Sequence, residues 1–107
     1  MSRYVIADVA WNDTEALQAY LKILGPSLEA FGGAITVTDR NARAVEGDWK
    51  PHGVVVLITF PTLKDALAWY ESDTYRPAIT IRQRGSSSRM VIFGEYARSR
   101  PCWRGPA

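Results

Sequence analysis

The chain has 107 residues, a net charge of +2, a hydrophobic fraction of 47% and a charged fraction of 22%, the values of one ordinary globular domain. The only cysteine is Cys102, which excludes an internal disulfide framework. No apolar run approaches the roughly 20 residues of a membrane-spanning helix.

Met1-Ser2-Arg3-Tyr4 leads straight into a predicted strand, so no signal peptide is expected. With no cluster of Cys and His, the reading is a cytoplasmic protein with no structural metal and no cofactor. The first strand spans Arg3 to Trp11. Alternation puts Tyr4, Ile6, Asp8 and Ala10 on one side and Val5, Ala7, Val9 and Trp11 on the other. Asn12-Asp13-Thr14-Glu15 follows as a helix start, an N-cap with Glu three residues on. Leu17, Tyr20, Leu21, Leu24, Leu28 and Phe31 form one helical stripe. Pro26 interrupts it and predicts a kink or short break, because it removes the hydrogen bond to residue 22. Gly32-Gly33 ends the helix.

Ala34 to Thr38 reads as a second strand, Asp39-Arg40-Asn41 as a turn or bulge, and Ala42 to Glu46 as resumed extended chain. A loop from Gly47 to Gly53 leads to Val54–Phe60. That run has only one polar side chain, Thr59, and is rich in β-branched residues, so it predicts a strand covered on both faces. Thr62 is the next N-cap, with Asp65 three residues on. Leu63, Ala66, Leu67 and Tyr70 share a helical stripe, with Trp69 beside it. A further helix is predicted from Thr74 to Arg84, capped by Ser72 or Asp73, with Pro77 in its first turn. Gly85-Ser86-Ser87-Ser88 closes it, and Arg89 to Tyr96 is the last strand. Residues 97–107 belong to no element and form an Arg- and Pro-rich tail beyond a domain of residues 1–96.

The order βαββαβ predicts an α+β, ferredoxin-like fold: a four-stranded antiparallel sheet with helices on one face. The other face carries too many apolar residues to stay wet. Two sheets packed face to face would cover it, so a homodimer is expected. Trp103, the one large apolar anchor of the tail, is expected to pack on the partner subunit or across the barrel end. From Arg76 onward seven Arg stand against one acid, Glu95. Without interleaved aromatics or a recognition motif this reads as a solvated basic surface, not a nucleic-acid site. No membrane partner is expected either.

Several motifs carry a resemblance in the right order. They are Tyr4-Val5-Ile6-Ala7-Asp8-Val9, Phe31-Gly32-Gly33, Val45-Glu46-Gly47-Asp48-Trp49, Phe60-Pro61-Thr62, Ala68-Trp69-Tyr70-Glu71-Ser72 with Tyr75, and Arg82 ahead of Ser86-Ser87-Ser88. Across about residues 3 to 96 the chain resembles domain-of-unknown-function family 1330, in the dimeric α/β-barrel superfamily. The resemblance implies a ferredoxin-like homodimer and no particular reaction. The superfamily includes cofactor-free monooxygenases, muconolactone isomerases, haem enzymes and non-catalytic members, so fold does not give function.

Arg82 falls on the helical face of Tyr75, Ala78 and Ile79, an unusual place for a cation. It holds a substrate carboxylate through its planar fork, pairs with Asp8 or Glu46, or snorkels its stem to the edge. Asp8, inside an apolar strand, is either a general base or a salt-bridged aspartate. Tyr20, Tyr70 and Tyr75 point from helices toward the sheet, where they line a small cavity or pack as aromatic core. Glu46 and Trp49 flank Gly47 and match the family pattern; a turn with a packed indole is the alternative. His52 reads as an exposed loop histidine, with axial haem ligation or acid-base work as the alternative, and Cys102 lacks the basic partner of a catalytic thiol. The expected site lies between sheet and helices, with Asp8 on the helix-facing side. The expected function is binding, or cofactor-free isomerisation or oxygenation, of a small organic acid or aromatic compound. The rival is a non-catalytic binding or structural dimer module; a third reading, a haem enzyme, needs a ligand such as His52 beside a large cavity.

Overall fold

The computed structural model describes residues 3–51 and 53–94. His52, Glu95, Tyr96 and the 97–107 tail with Cys102 and Trp103 lie outside the described residues, and so do the expectations placed on them. The elements are β1 (Arg3–Trp11), α1 (Thr14–Ala30), β2 (Ala34–Asp39), β3 (Val54–Phe60), α2 (Leu63–Glu71), α3 (Arg76–Gly85) and β4 (Ser86–Phe93). All strand pairs are antiparallel, in the order β2-β3-β1-β4. This is the split βαβ arrangement of the ferredoxin-like, α+β class, with the second crossover divided into two helices.

Residues opposite one another in a ladder share a face. Val5 pairs with Ile58 and Ile92, and Ala7 with Val56 and Met90. These side chains, with Val9 and Phe60, form the face under the helices. Tyr4, Ile6 and Asp8 pair with Thr59, Leu57 and Val55 on β3 and with Phe93, Val91 and Arg89 on β4. That is the face the helices leave open, and it is largely apolar: Val91 is 57% and Phe93 46% exposed.

Local chemistry explains the helix ends. Asp13, one residue later than an Asn12 cap would stand, accepts from the N–H groups of Glu15 and Ala16 at 3.0 and 3.2 Å. Thr62 accepts from the Asp65 N–H at 3.0 Å, as its cap pattern predicts. At the end of α1 the Gly33 N–H donates to the Leu28 carbonyl and the Gly32 N–H to that of Glu29, with Gly32 at φ +75°. This is a Schellman closure, and its left-handed position suits glycine. Helix α1 runs through Pro26 without a break. Lys22 and Pro26 are both exposed, so the orphaned carbonyl lies on the solvent side, where its loss costs least.

Four expectations need correction. Helix α2 buries Ala66 and Trp69 and leaves Leu63 and Leu67 exposed, so the predicted stripe is rotated and Trp69 is central. The indole rests on Tyr75 and Phe60, with ring centroids 4.0 and 5.4 Å away, and Nε1 donates to Ser27 Oγ at 3.0 Å. Helix α3 starts at Arg76, two residues late, because Ser72 Oγ accepts the Tyr75 N–H in the preceding turn. Strand β4 starts at Ser86, because Ser86, Ser87 and Ser88 complete the ladder to Trp11, Ala10 and Val9. Finally, Ala42 to Glu46 joins no ladder. The irregularity of β2 lies earlier, between Ile35 and Val37, where Thr36 donates its hydroxyl to the Leu57 carbonyl at 3.1 Å.

Candidate functional site

Helix α1 leans on α3 more than on the sheet. A cleft of about 230 Å³ opens between α1 and the helix-side face of β1, β3 and the β2 edge. Val9, Val56, Ile58 and Met90 floor it, and Trp11, Tyr20, Leu21 and Leu24 wall it. Trp11 and Tyr20 meet at 5.3 Å between centroids, giving the cleft an aromatic side. The described lining residues with polar side-chain atoms are Trp11, Tyr20, Thr38 and Arg40; no carboxylate and no imidazole is among them.

Of the residues expected from sequence, Tyr20, Tyr75 and Arg82 come together. The phenolic oxygens of Tyr20 and Tyr75 are 2.6 Å apart. Arg82, only 4% exposed, lies beside them and donates from Nη1 to Ser88 Oγ at 2.6 Å. Its Nε is buried with no hydrogen-bond partner. Burial pushes the Tyr20 phenol far above its ordinary range, and the adjacent Tyr75 adds to this; the guanidinium pulls the other way without prevailing. The Tyr75 phenol is also raised, mainly by burial, against the opposing Tyr20 hydrogen bond and Arg82 charge. Both groups are therefore neutral donors at ordinary pH, not bases. Tyr20 lines the cleft, with Tyr75 and Arg82 behind it.

The other expected residues do not converge there. Asp8 sits on the opposite face of the sheet, 3% exposed, so its expected place under the helices is overturned. Two sets of alternating apolar residues in β1 made either face a possible core face, and the helices cover the Val5 side. Asp8 Oδ2 accepts from Arg89 Nη2 at 2.9 Å and from Trp49 Nε1 at 3.2 Å. With Ile6 and Val91 this trio borders a shallow recess on the open face. Arg82 accordingly meets neither Asp8 nor Glu46, which is exposed after β2. Tyr70 is half-buried and packs edge-on to Trp69 and near Tyr75, adding ring contact and not cleft lining. Trp11, Ser88 and Arg40 escaped sequence reasoning. Alternation sets Trp11 on the Val5 side of β1, but packing alone decides that this side meets the helices; the other two depend on ladder register.

A family model described as a domain of unknown function, DUF1330, matches residues 2–96. The chain belongs to the DUF1330 family. A comparison with curated protein sequences gave no match. Among solved structures, this DUF1330 chain is similar to a protein of unknown function from Rhodopseudomonas palustris, at 19% identity and a TM-score of 0.70, covering 90% of this chain and 83% of that one. It is also similar to a dimeric ferredoxin-like protein of unknown function from Jannaschia sp. CCS1, at 13% identity and a TM-score of 0.64, covering 89% and 100%. A third, from Nitrosomonas europaea, is provisionally named an antibiotic biosynthesis monooxygenase; identity is 19%, the TM-score 0.50 and coverage 91% and 92%. At these identities the likeness shows the ferredoxin-like fold alone. Among the described residues of this DUF1330 protein, no helix is long and apolar enough to cross a membrane.

Proposed function

We propose that this DUF1330 protein is a homodimer that takes a small organic acid or aromatic compound into the α1–sheet cleft, and that any reaction there proceeds without a cofactor. The observation that carries the reading is the aromatic-walled cleft with the Tyr20–Tyr75–Arg82 relay at its inner side. Its volume of about 230 Å³ falls below the roughly 300–1,000 Å³ of sites for drug-sized ligands. A single-ring compound fits that scale.

The relay supplies one directed proton. A guanidinium only donates, and each phenol has one proton. One phenolic proton makes the Tyr20–Tyr75 bond. With Tyr75 as the donor in that bond, the Tyr20 proton has no acceptor within the trio, and Tyr20 is the member that lines the cleft. A ligand carbonyl or oxyanion there receives a hydrogen bond backed by a buried positive charge. Such a donor stabilises negative charge developing on oxygen, the need shared by isomerisation through an enolate and by oxygenation of an electron-rich ring. The neighbour named for a monooxygenase is consistent with this class. A second reading, binding without turnover, has its own support: the described cleft lining offers no carboxylate or imidazole to remove a proton.

The homodimer rests on the open face. Val37, Val91 and Phe93 are exposed there, around Ile6 and Leu57, and the similar Jannaschia protein is dimeric. Ligand-observed NMR and thermal shifts with phenol, benzoate and a cyclic enone test the cleft. We expect binding by the wild type, and a loss of about 3- to 10-fold for oxygen-bearing compounds in Tyr20→Phe, the range of one hydrogen bond. Wild-type protein that binds none of the three probes refutes the reading.

A further inference from the structure

The register of β2 turns a cation toward the cleft. Before the irregularity Ile35 pairs with Ile58, on the helix side. After it Val37 pairs with Leu57 and Asp39 with Val55, both on the open side, while Thr38 pairs with Val56 on the helix side. The extra residue, Thr36, thus reverses the alternation, so that Ile35, Thr38 and Arg40 all border the cleft. In an uninterrupted strand Arg40 would lie on the opposite face from Ile35. Among the described residues Arg40 has no ion-pair or hydrogen-bond partner. The nearest acid in sequence, Asp39, lies on the other side of the strand, and its carboxylate accepts the Asn41 N–H at 2.7 Å. The cleft therefore has an apolar body, a phenolic donor on its α1 wall and one unpaired guanidinium on the β2 edge.

We infer that Arg40 is the anion-recognising residue of this cleft and that the ligand is a single-ring carboxylate, its carboxylate on Arg40 and its ring among Trp11, Leu24, Val56 and Met90. This inference rests on the proposed cleft and narrows its ligand class from small organic acids or aromatic compounds to aromatic monocarboxylates. The planar fork of Arg40 suits a carboxylate in two-point contact. Arg82 does not compete for it, being behind the tyrosines and absent from the cleft lining. Recognition is thus divided: one guanidinium at the edge meets the anion, and the buried one acts only through a phenol.

The test compares benzoate with benzyl alcohol, and 4-hydroxybenzoate with phenol, on the full chain by titration calorimetry at low and at 0.5 M salt. Wild-type protein should bind each carboxylate at least about tenfold more tightly than its neutral analogue, as expected for a charge-assisted hydrogen bond. Salt should narrow the gap, because the pair is partly exposed. Arg40→Gln should remove the preference while leaving the affinity for benzyl alcohol within about twofold, and Arg40→Lys should restore part of it. If Arg40→Gln keeps the full preference, Arg40 merely protects an exposed strand edge, a common use of charge there, and the inference is overturned. Neutral compounds bound as well as carboxylates by the wild type would overturn it too, while leaving the cleft in place. If no probe binds, the cleft and the inference fall together.

Discussion

The hydroxyls of Tyr20 and Tyr75 share a 2.6 Å hydrogen bond although 55 residues separate them in the chain. The bond ties α1 to the turn before α3 and sets the guanidinium of the buried Arg82 against two neutral phenols. Its first consequence is for pH. Both phenols have folded pKa values above the ordinary 10.0. An acid whose folded pKa is raised holds its proton longer in the native than in the unfolded state, so the unfolded state binds fewer protons above pH 10. The stability they contribute is fully present below pH 10 and is lost as pH rises beyond it toward the folded values. Two such groups give a slope approaching about 2.7 kcal/mol per pH unit. Denaturant midpoints from pH 8 to 11.5 should be flat, then fall; Tyr20→Phe should fall less steeply. Tyrosinate absorbance should show two tyrosines ionising only with unfolding.

Arg82 makes no described contact with a carboxylate, so Arg82→Met should not strand a buried partner charge. The cost should stay below the roughly 3–5 kcal/mol of breaking a buried ion pair, because a guanidinium and its desolvation are removed together. Since its charge pulls both phenols downward, the substitution should also drive their titration further up. Urea denaturation with absorbance titration of the variant reads both. A loss above about 3 kcal/mol would show a charged partner that the geometry does not contain.

Trp69 and Ser27 join α2 to α1 in the buried core. Ser27 Oγ accepts from the indole and donates to the Leu24 carbonyl at 2.8 Å. Ser27→Ala should strand the indole N–H and cost about 1–3 kcal/mol. Trp69→Ala should cost about 3–5 kcal/mol through the cavity it leaves. Chemical denaturation of the two variants separates these sizes, and equal losses would contradict the central place of the ring.

Phe93 and Val91 lie on the open sheet face, away from the helices. Phe93→Asp should leave the helix-side core untouched and turn the proposed homodimer into a folded monomer, since an unpaired carboxylate inside an apolar interface costs more than the contact supplies. Light scattering with circular dichroism measures mass and fold together. A dimer unchanged by Phe93→Asp would place the self-association surface elsewhere.

Much of the fold was legible because its signals are local. The apolar run from Val54 to Phe60, the Thr62 cap and the Gly32-Gly33 stop each act within a few residues, and they fall where the strand, cap and helix end are found. The βαββαβ order implied the ferredoxin-like arrangement, which the family motifs repeat, and helix spacing brought Tyr75 and Arg82 to one face of the chain. Alternation likewise put Asp8 with Tyr4 and Ile6. What it could not supply was the side on which the helices lie, because β1 is apolar on both faces and a period of two is blind to that choice. Only packing decided that Val5 faces the core and Asp8 faces away. The rotation of α2 onto Trp69 was also decided by packing, since the buried Ser27 hydroxyl and the Tyr75 ring that receive the indole come from other elements. Ladder register was decisive for Ser88 and Arg40: pairing with Val9 placed the first, and one extra residue at Thr36 turned the second toward the cleft. Sequence thus determined which segments are strands and helices through short-range steric and capping preferences. Tertiary structure decided which of their faces meet, because that depends on area buried between segments far apart in the chain.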